Sequence, residues 1–200
     1  MDYIELVRGM LFSPVETFQK VKTADLGDAL KYFLILVLIN TVLSVIISLV
    51  VLSSMWVVYS SIYESLGIVV PATIGAGMVA IAILMIFGSI FILFIAAAWL
   101  HLWVYILGGR KGYIETLKAI AYGATPELLI GWIPFIGFIG SIWSFILTIL
   151  GVRELQEMST GKAAAAAIIA VVVLAIIIIL VAAFLFIAYM EMMQVPMNLY

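Results

Sequence analysis

Glu127 is the residue of this sequence best suited to chemistry. It follows Pro126 in an apolar segment with no Lys or Arg at the same depth. A carboxyl group inside a membrane-spanning segment commonly marks a proton, ion or ligand site. Two other interpretations stay open: the carboxyl reaches the outer interface about one turn away at Gly131, or it is hydrogen-bonded to a neighbouring polar group.

Four other residues are candidates for a role inside the membrane, three because their side chains are polar and one because it is a proline. Asn40 lies at a depth similar to that of Glu127, and because an amide both donates and accepts, we predict a hydrogen bond between the two. His101 and Tyr122 are predicted to lie level with each other, and a single His is expected to satisfy a hydrogen bond rather than bind a metal. Pro126 is predicted to bend its segment, since it cannot donate a backbone N–H to the Tyr122 carbonyl.

Several kinds of chemistry are excluded by the residues that the chain lacks. There is no Cys and only one His, which leaves no thiol nucleophile, thiolate metal site or histidine cluster. No nucleophile–base pair, phosphate-binding loop or carboxylate pair stands at a useful spacing. The formal net charge of −2 gives no reason to expect nucleic acid. We therefore predict a non-enzymatic protein with no metal and no cofactor.

Composition assigns the chain to a structural class. Hydrophobic residues make up 67% of its 200 residues and charged residues 10%, and the mean hydropathy is +1.35. Soluble domains contain about 45–50% apolar and about 25% charged residues. A chain this apolar cannot cover itself with polar side chains in water. The predicted fold class is all-α, a polytopic membrane helix bundle.

Stretches without charged residues predict five transmembrane segments, each near the ~20 residues that one pass requires. Ser53–Pro71 is the predicted first loop, with a partial helical extension of the first segment left open, and Trp132-Ile133-Pro134 is the turn between the third and fourth segments. Those two segments are short, and a re-entrant hairpin is the alternative to two full passes. The first segment runs from about Ala29 to a residue between 50 and 59, and the second starts after Pro71 and ends before Gly108. The other three are Tyr113–Gly131, Phe135–Gly151 and Ala163–Tyr189.

The basic residues predict the orientation. With five passes, or with the hairpin, all nine Lys and Arg residues fall on the side of the N-terminus. Lys and Arg accumulate on the cytoplasmic side of membrane proteins, so the N-terminus is predicted inside and the C-terminus outside. The chain then divides into a cytoplasmic segment (1–28), a transmembrane domain (29–190) and an outer tail (191–200).

The N-terminal segment is predicted to form two short amphipathic helices, the second with Pro14 in its first turn. Such helices lie at a membrane interface or pack against the protein's own cytoplasmic loops, and the pattern favours neither. Asp28 is the predicted cap of the first transmembrane helix, and Ser159 or Thr160 is the predicted cap of the last one. The apolar positions are Ile4, Val7 and Leu11 in the first amphipathic helix and Val15, Phe18 and Val21 in the second.

An ordered set of short motifs resembles the Yip domain over nearly the whole chain. The motifs are His101, Gly108–Thr116, Tyr122–Pro126, Trp143, Gly151–Leu155 and Ser159–Ala163. Within them, the positions expected in inner loops of the family are Gly108, Gly109, Glu115, Gly151, Glu154, Gly161 and Lys162.

The resemblance implies a five-pass membrane protein, because Yip-domain proteins have that topology. Eukaryotic members interact with Ypt/Rab GTPases in the early secretory pathway and carry a long soluble N-terminal region with an Asp-Leu-Tyr-Gly-Pro type motif. Here only 28 residues precede the first segment, and Asp25-Leu26-Gly27-Asp28 matches that motif poorly. The chain therefore resembles a compact, prokaryotic member of the family.

The function that the resemblance implies is membrane organisation or trafficking, as a scaffold or adaptor. Expected partners are the lipid bilayer, a membrane protein or small GTPase, and a second copy of the chain. The small residues Ala163–Ala167 are expected to allow close helix packing first and to form a dimer surface second. The expected location is the cell membrane, or early secretory membranes in a eukaryote. The alternative is a small transporter or channel that uses Glu127 and Asn40.

Overall fold

The structure is a computed structural model that describes residues 2–66 and 74–194. This part of the chain is helical and contains no strand. A single 3-10 turn, Val21–Thr23, follows the second helix. The helices are α1 (Tyr3–Phe12), α2 (Pro14–Lys20), α3 (Leu26–Ser65), α4 (Ile74–Ile106), α5 (Tyr113–Gly123), α6 (Thr125–Ile130), α7 (Gly137–Leu155) and α8 (Thr160–Gln194).

Three of these helices are much longer than the rest. α3 has 40 residues, α4 has 33 and α8 has 35, whereas α7 has 19. Four helices contain a stretch long and apolar enough to cross a membrane: 26–55, 80–106, 137–155 and 160–193. The predicted third segment is not among them, because it is divided into α5 and α6.

The predicted first loop is largely helical. α3 continues without a break through Ser65, so the helical extension that the sequence left open covers residues 53–65; residues 67–73, which include Pro71, lie outside the described part of the chain. The Ser53 and Ser54 hydroxyls donate to the carbonyls of Val50 and Val51, at 2.9 and 2.8 Å. Serines that bond back to their own helix in this way do not interrupt it.

The break between α5 and α6 falls where the sequence predicts a bend. α6 begins at Thr125 with Pro126 in its first turn, after an interruption at Ala124. Pro126 has no N–H to donate to the Tyr122 carbonyl, which instead accepts a hydrogen bond of 2.6 Å from the Thr125 hydroxyl. A turn over 131–136 follows α6, and α7 then packs back along α5 and α6.

Capping residues fix two helix starts. The Asp25 carboxylate accepts the backbone N–H of Asp28 at 2.7 Å, so Asp25 caps α3 and the prediction of Asp28 is wrong. Ser159 accepts the N–H of Lys162 at 3.4 Å at the predicted start of α8. Both caps satisfy backbone donors that a helix leaves free at its N-terminus.

The core lies at one end of the bundle, here named the basic end because all nine Lys and Arg residues lie there. Among the described side chains, the buried hydrophobic residues extend no further than Val37 on α3, Leu93 on α4 and Ala170 on α8. The opposite end, here named the far end, consists of the continuations of these three helices.

The N-terminal helices pack against the basic end, as in the second of the two predicted alternatives. Leu6 and Met10 of α1 and Phe18 of α2 are buried in the core. The predicted stripe of α1 is therefore displaced, because Ile4 is 77% exposed and lies outside the contact. Phe12 is exposed as well, so α1 presents apolar side chains on two faces.

Candidate functional site

Gln156 joins two loops at the basic end. Its amide oxygen accepts the backbone N–H of Lys111 at 3.0 Å, and its amide nitrogen donates to the Gly112 carbonyl at 2.7 Å. The same nitrogen donates to the Thr116 hydroxyl at 3.0 Å. The α4–α5 loop is thereby fixed to the end of α7, and we name these residues, together with His101, the loop network.

His101 completes the loop network from α4. Its Nδ1 lies 2.8 Å from the Thr116 hydroxyl, and its ring packs edge-on against Tyr113, with ring centroids 5.9 Å apart. His101 therefore satisfies a hydrogen bond, as the sequence predicts. Among the described residues, no group of three or more His, Asp or Glu side chains could hold a metal ion.

Lys118 is a buried cation that holds the N-terminal segment in place. Its side chain is 2% exposed, and its ammonium donates to the carbonyls of Lys22 and Ala24 at 3.0 Å each. The Glu115 carboxylate pairs with the same ammonium at 3.0 Å. A buried charge requires such partners, so this cluster ties the segment before α3 to α5.

Glu157 links three segments on the surface of the basic end. Its carboxylate pairs with Lys22, and with Lys111 at 2.5 Å. Hydrogen bonds from Lys111 and Lys22 lower the pKa of Glu157 to about 2. Nearby, Glu154 accepts a hydrogen bond of 3.1 Å from Gln19 of α2 and pairs with Arg153.

The glycines of the resemblance motifs serve the packing of these loops. Gly108 and Gly112 have φ angles of +104° and +99°, which side chains rarely adopt, so the α4–α5 loop requires glycine there. A Cβ on Gly151 would lie 2.7 Å from the Phe18 ring, so α2 can approach α7 only at a glycine. Gly161, by contrast, faces open space, and Lys162 is exposed.

Tyr122 is separated from His101 and packs instead against α3. Its ring lies 5.3 Å from the Tyr32 ring, between centroids, and Tyr32 is hydrogen-bonded to the Thr125 hydroxyl at 2.8 Å. The prediction that Tyr122 and His101 are level is wrong, because Thr116, six residues earlier, is the residue that reaches His101. These contacts fix the alignment of α5 with α3.

Asn40 bonds to the backbone of α6 and not to Glu127. Its amide nitrogen donates to the Leu128 carbonyl at 2.9 Å, and its amide oxygen accepts from Ser44 at 3.5 Å. The predicted Asn40–Glu127 hydrogen bond is therefore wrong. Asn40 also lines a cavity of about 490 Å³ between α3 and α4, whose polar lining residues are Asn40, Thr41, Ser44, Ser48 and Ser89.

Glu127 lies on the surface of α6. Its side chain is exposed, and only its backbone is engaged, with the N–H donating to the Ser144 hydroxyl of α7 at 2.9 Å. That N–H is one of the donors freed by the new helix start at Thr125. The contact that Glu127 makes is therefore made by its backbone and has a structural role.

Sequence reasoning missed Gln156, Thr116 and Lys118 as the residues on which the basic end is built. Lys118 carried one signal, a cation in an apolar helix three residues after Glu115, which places both on one face. Nothing in the sequence marked Gln156, since it lies in a short polar loop. The alanine run 163–167 is used for packing inside the molecule, the first of its two expected roles, since Ala163, Ala166 and Ala167 are buried.

Comparison with known protein families gives one match. A family model described as Yip1 domain matches residues 8–195, which is nearly the whole chain. No curated protein and no solved structure matched the chain.

Proposed function

The chain belongs to the Yip1 domain family of membrane proteins, and we propose that it is a non-enzymatic scaffold or adaptor in membrane organisation or trafficking. The observation that carries this proposal is the loop network. Polar side chains at the basic end are hydrogen-bonded to backbone groups of neighbouring loops. In an enzyme, such side chains would instead point into an open cleft. This arrangement suits a rigid surface that is recognised by another molecule.

The proposed surface is the outward side of α1 and α2. A cleft of about 410 Å³ opens between them, lined by the charged residues Glu5, Arg8, Glu16 and Lys20. Ile4 and Phe12 beside it are 77% and 79% exposed. Charged groups interspersed with exposed apolar side chains suit a protein partner, and the family is associated with membrane proteins and small GTPases.

The proposed topology has the basic end in the cytoplasm and the end of α8 outside. All nine Lys and Arg residues support it, because translocating them would oppose the positive-inside rule. The chain has no Cys, so a single Met193→Cys is a clean probe in sealed cells. We expect impermeant thiol reagent to label it from outside and Lys111→Cys to react only after lysis; the reverse pattern would contradict the orientation.

A comparison of matched variants tests the scaffold. Site-specific photocrosslinkers at Ile4 and Phe12 should capture defined membrane-protein or small-GTPase partners in native membranes. A crosslinker at Phe184, which is 70% exposed on α8, is the control. Gly151→Leu, which displaces Phe18, should abolish capture at Phe12. Equal products at Phe12 and Phe184 would mean that α1 has no specific partner.

The cavity beside Asn40 supports a second candidate function, a small transporter or channel. Hydroxyl and amide side chains inside a membrane are costly unless they serve a pathway or bond to the protein. Glu127 is not among the lining residues, so the pathway would depend on Asn40. In sealed proteoliposomes, a transporter should move a solute or ion and lose that flux in Asn40→Leu, whereas a scaffold should move none.

A further inference from the structure

The hairpin of α5, α6 and α7 follows α3 over only part of its length. Lys118 meets the carbonyl of Ala24, Thr125 meets Tyr32, and Leu128 meets Asn40, so α5 and α6 advance along α3 together. A Cβ on Gly131, the last position before the turn, would lie 3.6 Å from the Asn40 amide. The tip of the hairpin is therefore level with Asn40.

α3 continues far beyond that level. The twelve residues from Thr41 to Leu52 contain no charge and add about 18 Å before the serine pair at Ser53. On the basic side, the nine residues from Tyr32 to Asn40 cover about 14 Å. The two lengths sum to about the thickness of a bilayer's hydrocarbon core, so the hairpin tip lies near its middle.

α4 shows the same alignment of the hairpin. Thr116 of α5 meets His101, and Leu128 of α6 lines one cavity with Ser89 and Met85. α5 and α6 thus run antiparallel to α4, and the tip falls near Met85. Apolar residues of α4 continue past that point towards its start at Ile74.

The residues of the tip suit hydrocarbon and not water. The stretch 132–139 reads Trp-Ile-Pro-Phe-Ile-Gly-Phe-Ile and has no charged or hydroxyl side chain. Phe135 is 98% exposed and Phe138 is 72% exposed. An aqueous loop would expose these rings to water, whereas a tip inside the bilayer places them in lipid.

We infer that α5, α6 and α7 form a re-entrant hairpin whose tip reaches only the middle of the bilayer, while its open end, where Lys118 meets Ala24, lies before Lys31 and outside the hydrocarbon on the basic side. The protein is then a wedge that accumulates in membranes convex on that face. The basic half contains the hairpin, α3, α4, α8 and the docked α1 and α2, whereas the far half contains three helices among the described residues. Extra cross-section in one leaflet favours curvature toward that leaflet.

This inference goes beyond the proposed function, because it concerns lipid alone and requires no protein partner. A scaffold that recruits partners through α1 and α2 would remain one if the membrane preference failed. Conversely, a wedge would sort by curvature in pure lipid even if crosslinking found no partner.

The depth of the tip is the first test. A spin label on Phe135→Cys in proteoliposomes should be accessible to oxygen, inaccessible to a water-soluble nickel chelate, and protected from impermeant thiol reagents on both faces. Leu66→Cys and Lys111→Cys are the controls for the far and basic surfaces. Reaction of Phe135→Cys from the far face would mean that α6 and α7 cross the bilayer, and the inference would fail.

Curvature sorting is the second test. The full chain, with the basic end outward, is reconstituted in a mixture of small sonicated and large extruded vesicles of phosphatidylcholine and phosphatidylglycerol. We expect severalfold higher protein density per lipid on the small vesicles, and a reversed preference for protein inserted with the basic end inward. Equal density in both sizes would overturn the wedge.

A variant separates the hairpin from α1. Ile4→Ser with Phe12→Ser removes the exposed apolar side chains of α1 and leaves Leu6 and Met10 buried. The preference for small vesicles should persist in this double variant at close to the wild-type ratio. Its loss would assign the effect to α1 and would overturn the role given to the hairpin.

Discussion

The two halves of the bundle differ in what their helices touch. In the basic half, α8 buries Ala163, Ala166 and Ala170 within the bundle. In the far half, every side chain of the same helix from Leu174 to Met193 is exposed, with Phe184 and Leu185 at 70% and 60%, so no side of the helix there is covered. One continuous helix thus passes from a packed environment to an unpacked one.

The difference indicates which interactions hold membrane helices together. Lipid tails are as apolar as Leu or Ile, so apolar side chains alone give no drive for helices to associate. Small residues that allow close approach and polar groups that bond between helices supply it. The basic half has both, in its buried alanines and its loop network, whereas in the far half of α8 even Ala182 and Ala183 are exposed.

Removing Phe18 is expected to have the largest effect on this contrast. Its ring is fully buried against Gly151, so Phe18→Ala should lower the free energy of unfolding by about 3–5 kcal/mol. Phe184→Ala, the matched change in the far half, should stay within about 0.5 kcal/mol. Thermal unfolding in one detergent measures both. Equal losses would show that the two halves contribute alike.

Lys118→Met should come next, because it keeps the bulk of the side chain and removes the cation. The carbonyls of Lys22 and Ala24 lose a charged donor, for which we expect about 1.5–3 kcal/mol and faster hydrogen exchange in α1 and α2. The control, Lys31→Met, changes an exposed lysine and should leave exchange unchanged. Protection of α1 and α2 that survives in Lys118→Met would contradict this role.

Gln156→Leu should open the α4–α5 loop more locally. The Lys111 N–H and the Gly112 carbonyl lose their partner, at a cost of about 1–3 kcal/mol for buried groups left unpaired. Limited proteolysis should then cut within 108–112, while the far half stays intact. Gln19→Leu, on the exposed face of α2, serves as the control and should not be cut there.

The surface pairs of Glu157 should give the smallest effect. Its pKa falls from an ordinary 4.5 to about 2, so ionised Glu157 contributes stability above pH 4.5 that is lost as the pH falls towards 2. Glu157→Gln should therefore act equally from pH 5 to 8, and added salt should shrink the difference from wild type, since exposed pairs are screened. A mutational effect that changes between pH 5 and 8 would point to another group.

Much of the architecture could be predicted from local pattern. The start of α8 at Ser159, the break near Pro126 and the start of α5 at Tyr113 follow from capping, missing donors and glycines, which act within one helical turn. How far α3 extends past Ser53 could not be predicted, because serine is compatible with a loop or with a helix whose carbonyls accept its hydroxyl.

The candidate site shows the same limit. His101 was expected to satisfy a hydrogen bond, but its partner, Thr116, depends on how far α5 slides along α4. The expected pairing of Asn40 with Glu127 assumed equal depth and a shared face. Depth follows from counting residues, whereas the direction of a side chain about the helix axis depends on the packing of α6 against α3 and α7.

The sequence by itself determined that this is a helical membrane protein of the Yip1 domain family with its basic residues at one end, because composition, charge position and motif order are linear properties. Only the tertiary structure decided that Gln156 and Lys118 hold the loops together, and that Gly131, at the end of α6, lies beside Asn40 of α3. Those contacts join residues up to 96 positions apart, and no local rule relates their positions. They are set by close approach at glycines and alanines and by the need to pair every buried polar group.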